Sequence, residues 1–197
     1  MLRGSKVALR VRHAADVPVL HAELYEDVAT RSRADTRAWR PIAAESSGSP
    51  YRVGEPTADA ACFSVIELDR EDLAGEALLW DIDAHNRKAH VGVSLRPAFR
   101  GRGLGTDVVQ VLCHYGFVVL GLHRLQVETL SDNAAMIASA TRCGFQHEGT
   151  LRGSAWVAGA FADEMVLGLL ADEWLANQAD LANPANSANR PGSVVSA

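Results

Sequence analysis

The chain has 197 residues, 48% of them hydrophobic and 22% charged, and its formal net charge at pH 7 is −5. This composition is typical of a globular protein with a buried core, and the negative charge argues against a nucleic-acid-binding surface. No apolar run has the length of a membrane span. The three cysteines are widely spaced and fit neither a disulfide framework nor a metal site, so we expect a cytoplasmic protein without a metal.

The first part of the chain predicts a strand, a helix and a long irregular segment. Residues 7–11 are mostly aliphatic and predict the strand, and Asp16 has the side chain of a helix N-cap. In residues 30–56, prolines and glycines interrupt any regular pattern. Trp39 lies there among four arginines, Arg31, Arg33, Arg37 and Arg40. The segment is a candidate lid over an acceptor site, and a solvated loop or a dimer contact explains it equally well.

The middle of the chain predicts an antiparallel meander followed by a helix. Residues 62–68, 76–82 and 90–95 are rich in β-branched and apolar side chains and are joined by polar turns. Residues 106–120 place their apolar side chains mostly on one helical face, and Gly121 follows where a left-handed helix end would fall.

The last third predicts a strand, a short helix and a final strand. These are residues 125–130, 134–143 and 164–170, respectively. After residue 175, Asn, Ala, Ser and Pro dominate without periodicity. The sequence therefore predicts one domain over residues 1–175 and a disordered tail over residues 176–197.

The turn between the third strand of the meander and the following helix is the most informative stretch. It contains three glycines and two arginines, Arg100, Gly101, Arg102, Gly103 and Gly105. Glycines let the backbone approach a ligand closely, and the free N–H groups and positive end of a helix start attract anions. The turn therefore predicts a binding site for a pyrophosphate group.

Three nucleotide-binding patterns compete for this turn, and a glycine-rich connector that binds nothing is the alternative. The glycine spacing differs from the G-x-G-x-x-G of dinucleotide sites, and the lysine of a Walker loop is missing after Gly105. Residues 100–105 do match the pattern Gln/Arg-x-x-Gly-x-Gly/Ala. This pattern resembles the acetyl-CoA-binding turn of the GCN5-related N-acetyltransferases (GNATs).

Further stretches, in the same order along the chain, resemble the RimJ/RimL-type branch of this family. They are residues 2–10 and 15–16, Asn133, and residues 144–145, 148–152, 163–164 and 173–174. The resemblance implies an α+β (mixed α/β) structure with the GNAT fold. Its central sheet is mostly antiparallel, is flanked by helices and is splayed between its fourth and fifth strands.

The resemblance also implies the residues that bind the cofactor, acetyl-CoA or another acyl-CoA, in the cleft between the splayed strands. The strand before the glycine turn would bind the pantetheine arm through its backbone, the turn amides would bind the pyrophosphate, and the helix after the fifth strand would close the other side. The expected contacts are Val93, Ser94, Leu95, Arg100, Gly101, Arg102, Gly103, Leu104, Gly105, Thr106, Asn133 and Met136.

An acyl-CoA-dependent N-acyltransferase that works by direct attack in a ternary complex is the function that the resemblance implies. Acetyl-CoA is the default donor, and a longer or acidic acyl group such as succinyl stays open. The acceptor is a protein N-terminus, a lysine or a small-molecule amine, and a homodimer is left open. A non-catalytic acyl-CoA-binding or interaction domain is the alternative.

The sequence departs from the family at three positions. Many relatives have a tyrosine, the general acid to the CoA thiolate, where this chain has Ala140. Relatives that modify ribosomal proteins can have a serine at the position of Met136 and a glutamate at that of Ala155. These absences argue against a ribosomal protein substrate.

Two residues are the candidates for acid–base catalysis. Glu128 lies on the strand that borders the expected cleft, and Ser139 lies on the helix after Asn133. His85 and His90 flank the turn before the fourth strand, and each is interpreted as a surface or hydrogen-bonded histidine rather than a base. Cys143 is interpreted as a small buried hydrophobic residue rather than a nucleophile.

Overall fold

The computed structural model describes residues 1–35, 37–55 and 57–182, which contain eight strands and five α-helices. The strands are β1 (Leu2–Arg3), β2 (Val7–Arg10), β3 (Ala60–Glu67), β4 (Leu73–Asp83), β5 (Lys88–Leu95), β6 (Arg124–Leu130), β7 (Gln146–Val157) and β8 (Ala160–Leu170). The α-helices are α1 (Asp16–Leu20), α2 (Val28–Ala34), α3 (Leu104–His114), α4 (Ala134–Arg142) and α5 (Ala171–Ala182). A 3-10 turn, Pro97–Phe99, precedes α3, and π-helical turns follow α1 and α3 at His21–Tyr25 and Tyr115–Val119.

All eight strands form one sheet in the order β1-β2-β3-β4-β5-β6-β8-β7. Neighbours are antiparallel except for β5 and β6, which are parallel and pair over only three positions. Their pairing ends at His90 and Gln126, although β5 continues to Leu95 and β6 to Leu130. The predicted mostly antiparallel, splayed sheet is therefore confirmed, with β5 and β6 as the predicted fourth and fifth strands.

Helix α3 packs its apolar face on one side of the sheet. Leu104, Val108 and Leu112 are spaced one turn apart and are at most 3% exposed. They belong to the same buried cluster as Leu79 on β4 and Leu125 on β6. Burial of each such side chain contributes about 1.5–3 kcal/mol, so this packing holds α3 against the two strands on either side of β5.

The opposite side of the sheet is covered by the segment from α1 to residue 55. Leu20, Leu24, Tyr25 and Tyr51 form a second buried cluster there. Trp39 packs against this cluster, and its indole N–H donates a hydrogen bond to the carbonyl of Tyr25 at 3.0 Å. The tryptophan is therefore part of the packing of this segment.

The prediction of Asp16 as an N-cap is wrong, because Asp16 is the first residue of α1 itself. Its buried carboxylate accepts hydrogen bonds from the backbone N–H of His13 at 2.8 Å and from the hydroxyl of Ser64 at 2.7 Å. It also forms a salt bridge with Arg10 at 2.6 Å. Of these partners, only Ser64 is distant in sequence, and it draws the carboxylate toward β3 of the sheet.

Four of the strands and α-helices were not predicted, and the two-residue strand β1 is one of them. Helix α2 occupies the start of the segment expected to be irregular, and the carboxylate of Asp27 caps it by accepting from the N–H of Thr30 at 3.1 Å. Strand β7 lies at the sheet edge, where it is largely exposed. Helix α5 crosses the predicted domain boundary at residue 176, and the rest of the predicted tail, residues 183–197, lies outside the described residues.

Candidate functional site

The glycine turn lies between β5 and α3, at the open end of the splayed strands. Gly101 and Gly103 have φ angles of +71° and +78°, which L-residues rarely adopt. Gly103 is also the N-cap of α3, so the unpaired N–H groups of the first helical turn follow it directly. A methyl group at Gly101 would meet no atom within 4 Å. The turn therefore presents backbone donors that an anion can approach.

Three cationic side chains surround the turn. Lys6 donates from its Nζ to the carbonyl of Arg102 at 3.3 Å, and Arg100 donates from its Nε to the carbonyl of Leu95 at 2.9 Å. Arg102 forms a salt bridge with the buried carboxylate of Glu67, so its charge is already compensated. A surface cavity of about 430 Å³ is lined by Ser5, Lys6, Glu67, Leu68, Asp69, Arg102 and Leu104.

Asp107, in the first turn of α3, ties the N-terminal segment to the glycine turn. Its carboxylate accepts from the backbone N–H groups of Ser5, Lys6 and Val7 at 3.0, 2.7 and 2.9 Å. Burial acts to raise the pKa of Asp107, but these hydrogen bonds outweigh it and hold the pKa below its usual value. A Cβ at Gly4 would lie 2.4 Å from this carboxylate, so the segment needs a glycine there.

We expect Asp107→Ala to destabilise the protein by about 3 kcal/mol or more, because three backbone donors lose a charged acceptor. Because the folded-state pKa is lowered, the stabilisation is present above the ordinary carboxyl pKa of about 4 and is lost as the pH falls through the folded value. Urea denaturation between pH 3 and pH 8 measures both effects. Asp69→Ala, at an exposed position, is the matched control, and an equal loss in both variants would contradict the anchoring role.

The residues predicted to contact acyl-CoA lie on both sides of the gap between β5 and β6. Val93, Ser94 and Leu95 lie on β5 beyond its last pair with β6, and across the described chain no strand pairs with that edge. On the other side, Asn133 is the N-cap of α4, with its Oδ1 accepting from the N–H of Met136 at 3.3 Å. The cleft between these walls is therefore bordered by an extended backbone edge and by the start of a helix.

The two candidate catalytic residues occupy different parts of this cleft. The hydroxyl of Ser139 lies 3.3 Å from that of Thr106, which places Ser139 at the contact between α4 and the glycine turn. The carboxylate of Glu128 accepts from the Nε2 of Gln126 at 2.6 Å, where the strands separate. Ser139 thus lies beside the glycine turn, and Glu128 lies near the point where β5 and β6 separate.

His90 is only partly exposed, and within the described residues no hydrogen bond to its ring nitrogens is found. Its side chain is 13% exposed, and its ring lies 4.3 Å from that of Trp80, centroid to centroid. The Nε2 lies 3.8 Å from a carboxylate oxygen of Asp81 and the Nδ1 3.8 Å from one of Glu128. No local pattern in the sequence signals this grouping, because the four residues come from three strands.

The segment that covers the second face of the sheet also reaches both walls of the cleft. Glu23, in the π-helical turn after α1, pairs with Arg96 beside the glycine turn. Arg33, on α2, pairs with Asp132 just before α4, with an N–O distance of 2.6 Å. The segment therefore runs across the cleft from one wall to the other.

Residues 6–146 match the family model for the acetyltransferase (GNAT) domain. The chain belongs to the GNAT family. The predicted family is therefore confirmed, whereas its RimJ/RimL-type branch stays a prediction.

Curated relatives of this GNAT domain include the uncharacterized N-acetyltransferase p20 of Bacillus licheniformis, 30% identical over 112 residues, or 57% of this chain and 63% of p20. The spermidine N(1)-acetyltransferase of Escherichia coli K12 is 29% identical over 112 residues, or 57% of this chain and 60% of that enzyme. In both cases the match spans less than two thirds of the relative. A crystal structure of spermidine N-acetyltransferase from Vibrio cholerae, in complex with CoA and spermine, superposes with a TM-score of 0.73 at 20% identity and covers 87% of this chain and 99% of that one.

The cysteines of the GNAT domain are poor nucleophiles. Burial raises the pKa of Cys113 well above its usual value and that of Cys143 to about 12, so both stay protonated at neutral pH. The Sγ of Cys143 donates to the carbonyl of Thr106 at 3.5 Å, as expected for a packed residue.

The described residues of the GNAT domain include no group of three or more His, Cys, Asp or Glu side chains placed to hold a metal ion. Nor does any helix within residues 1–35, 37–55 and 57–182 have the length and hydrophobicity needed to cross a membrane.

Proposed function

We propose that this protein is an N-acetyltransferase that transfers the acetyl group of acetyl-CoA to a primary amine in a ternary complex. The observation that carries this proposal is the end of β5–β6 pairing at His90 and Gln126, which leaves the last five residues of β5 unpaired on that edge ahead of the open glycine turn. An extended ligand can hydrogen-bond to the free edge of a strand, and a pyrophosphate can bind the N–H groups of a helix start. The two sites follow each other along one stretch of chain.

The donor contacts follow from this arrangement. The backbone of residues 93–95 binds the pantetheine arm, and the N–H groups of residues 100–106 bind the pyrophosphate. Asn133 fixes the start of α4, and Met136 provides an apolar contact from that helix. Bound acyl-CoA supplies a thioester carbonyl that an uncharged amine can attack with loss of the thiolate.

The residues around the cleft position the acceptor. The carboxylates of Asp81 and Glu128 lie near the point where the strands separate and attract a positively charged amine. The segment with Glu23 and Arg33 borders the part of the cleft in which the acceptor amine binds, because its salt bridges join both sides of the cleft. With alanine at position 140, water protonates the leaving thiolate.

A polycationic small molecule is the acceptor class that these charges favour. Relatives in Escherichia coli and Vibrio cholerae are named as spermidine acetyltransferases, which supports the same choice. The arginines expected to attract an acidic acyl group are partly occupied, since Arg31 and Arg37 both pair with Asp35. We therefore place acetyl ahead of succinyl as the transferred group, and a polyamine ahead of a protein amine.

Thiol release across a panel of donors and amines tests this proposal. Acetyl-CoA, butyryl-CoA and succinyl-CoA are combined with spermidine, a lysine peptide and a peptide with a free N-terminus. We expect the largest kcat/KM with acetyl-CoA and spermidine, and initial-rate lines that intersect as a ternary complex requires. Calorimetric binding of CoA without thiol release for any pair would identify a non-catalytic acyl-CoA-binding domain instead.

A further inference from the structure

His90 occupies the last position at which β5 still pairs with β6. Beyond this position the two strands separate, and the cleft begins. In the antiparallel register, His90 lies directly opposite Trp80 on β4, and in the parallel register it lies opposite Gln126 on β6. Residues opposite each other point to the same face, so His90, Trp80 and Gln126 share one face of the sheet at the base of the cleft.

Four charged groups face the imidazole from the surrounding strands. Glu128 and Asp81 lie 3.8 Å from its two nitrogens, and Lys88 and Arg124 lie farther away on β5 and β6. Burial lowers the pKa of His90, and the two carboxylates only partly oppose this effect. The imidazole is therefore neutral at neutral pH, and its buried Nδ1 has no hydrogen-bond partner within the described part of the chain.

We propose that His90 is the proton acceptor for the amine substrate, with Glu128 and Asp81 as the groups that position and tune it. This assignment rests on the proposed function. The protonated amine gives one proton to the imidazole, and its lone pair then forms the C–N bond to the thioester carbonyl carbon. The C–S bond breaks, the second proton from nitrogen reaches the thiolate through water, and the imidazolium releases its proton to solvent.

The geometry favours His90 over Glu128 for this step. Glu128 is 30% exposed in its side chain and already accepts a short hydrogen bond from Gln126, whereas His90 is 13% exposed and lacks a partner at Nδ1. A general base works best with a pKa near the operating pH, and imidazole is the side chain whose ordinary pKa, about 6.5, lies in that range. The carboxylate is better suited to stabilising the imidazolium.

His90→Gln tests the assignment against His85→Gln, a substitution in the exposed turn before β5. We expect kcat/KM for spermidine to fall about 100-fold in His90→Gln, the range for loss of a general base, and to stay within about twofold in His85→Gln. CoA affinity by calorimetry and the thermal midpoint should be close to wild type in both variants. Equal activity of His90→Gln and wild type would overturn the assignment.

The pH profile separates a chemical role from a structural one. The base must be neutral and the amine binds in its protonated form, so kcat/KM should rise with pH through the pKa of His90 and fall only where the free amine loses its proton. Glu128→Gln removes a negative neighbour that raises the pKa of His90, so the rise of kcat/KM should move to lower pH. Lys88→Gln removes a positive neighbour that lowers this pKa, so the rise should move to higher pH. In His90→Gln this rise of kcat/KM should be absent.

Two outcomes distinguish failure of this assignment from failure of the proposed function. If the wild-type enzyme turns over spermidine, and if kcat/KM rises with pH at the same place in His90→Gln, Glu128→Gln and Lys88→Gln as in wild type, only the role of His90 is overturned. A wild-type protein that releases no thiol with any amine of the panel would overturn the proposed function, and the assignment with it.

Discussion

Replacement of Gly103 by Glu is expected to abolish acyl-CoA binding. The residue has a φ of +78°, so any L side chain is strained there, and a Cβ would lie 3.0 Å from the Nζ of Lys6. The new carboxylate would also lie in front of the N–H groups of α3, where it competes with the pyrophosphate and repels it. We expect the Kd for CoA to rise at least about 100-fold, equivalent to about 2.8 kcal/mol, as measured by calorimetry.

Gly159→Glu is the matched control for this substitution. Gly159 lies in the turn between β7 and β8, with a φ of +90°, and a Cβ added there would meet no atom within 4 Å. The variant therefore carries the same added charge and a similar backbone strain at a remote site. It should keep the wild-type CoA affinity, and a Kd for Gly103→Glu that matches it would refute the proposed donor site.

Loss of either Arg12 or Glu76 alone should destabilise the protein by about 3–5 kcal/mol, the range for breaking a buried ion pair. The guanidinium of Arg12 donates to the carboxylate of Glu76 at 2.6 Å, and the two side chains are only 5% and 9% exposed. Burial raises the pKa of Glu76, and Arg12 opposes the shift. Arg12→Ala would leave this carboxylate buried without its partner, which urea denaturation at pH 7 would detect as a lower free energy of unfolding.

The double variant Arg12→Met/Glu76→Leu distinguishes the effect of an unpaired buried charge from the effect of lost packing. It removes both charges and keeps most of the volume, so it should be at least about 2 kcal/mol more stable than Arg12→Ala. Arg70→Ala, in the exposed turn after β3, should change the stability by less than about 0.5 kcal/mol. A double variant as unstable as the single one would show that packing, rather than an unpaired charge, causes the loss.

The strand–turn–helix unit around the glycine turn was predictable because its signals are local. Aliphatic residues end at Pro97, the glycines follow, and a helical apolar face begins after them. The structure has β5, a 3-10 turn and α3 in that order, with glycines at positive φ where the turn was expected. Gly121, with a φ of +66°, likewise follows the helical stretch as predicted.

The features that the sequence did not predict depend on contacts between distant residues. Strand β7 has few apolar residues in alternation, and its conformation comes from its pairing with β8. The grouping of His90 with Asp81 and Glu128 requires the register of three strands, which no local pattern contains. The capping role of Asp27 had a local signal, because an aspartate directly before a short helical stretch is a common N-cap, but the prolines and glycines of residues 41–56 led to the prediction of an irregular segment from residue 30.

The hydrogen bonds to the carboxylate of Asp107 connect the N-terminal edge of the sheet to the first turn of α3, directly after the glycine turn. Strand β1 pairs with β2, and the segment between them is bound to the first turn of α3 through backbone groups. A molecule that adds a strand to the outer edge of β1 would therefore act on the helix start at which we propose that the donor binds. Coupling between two sites is reciprocal, so a donor that orders the first turn of α3 would also order the N-terminal segment and strand β1.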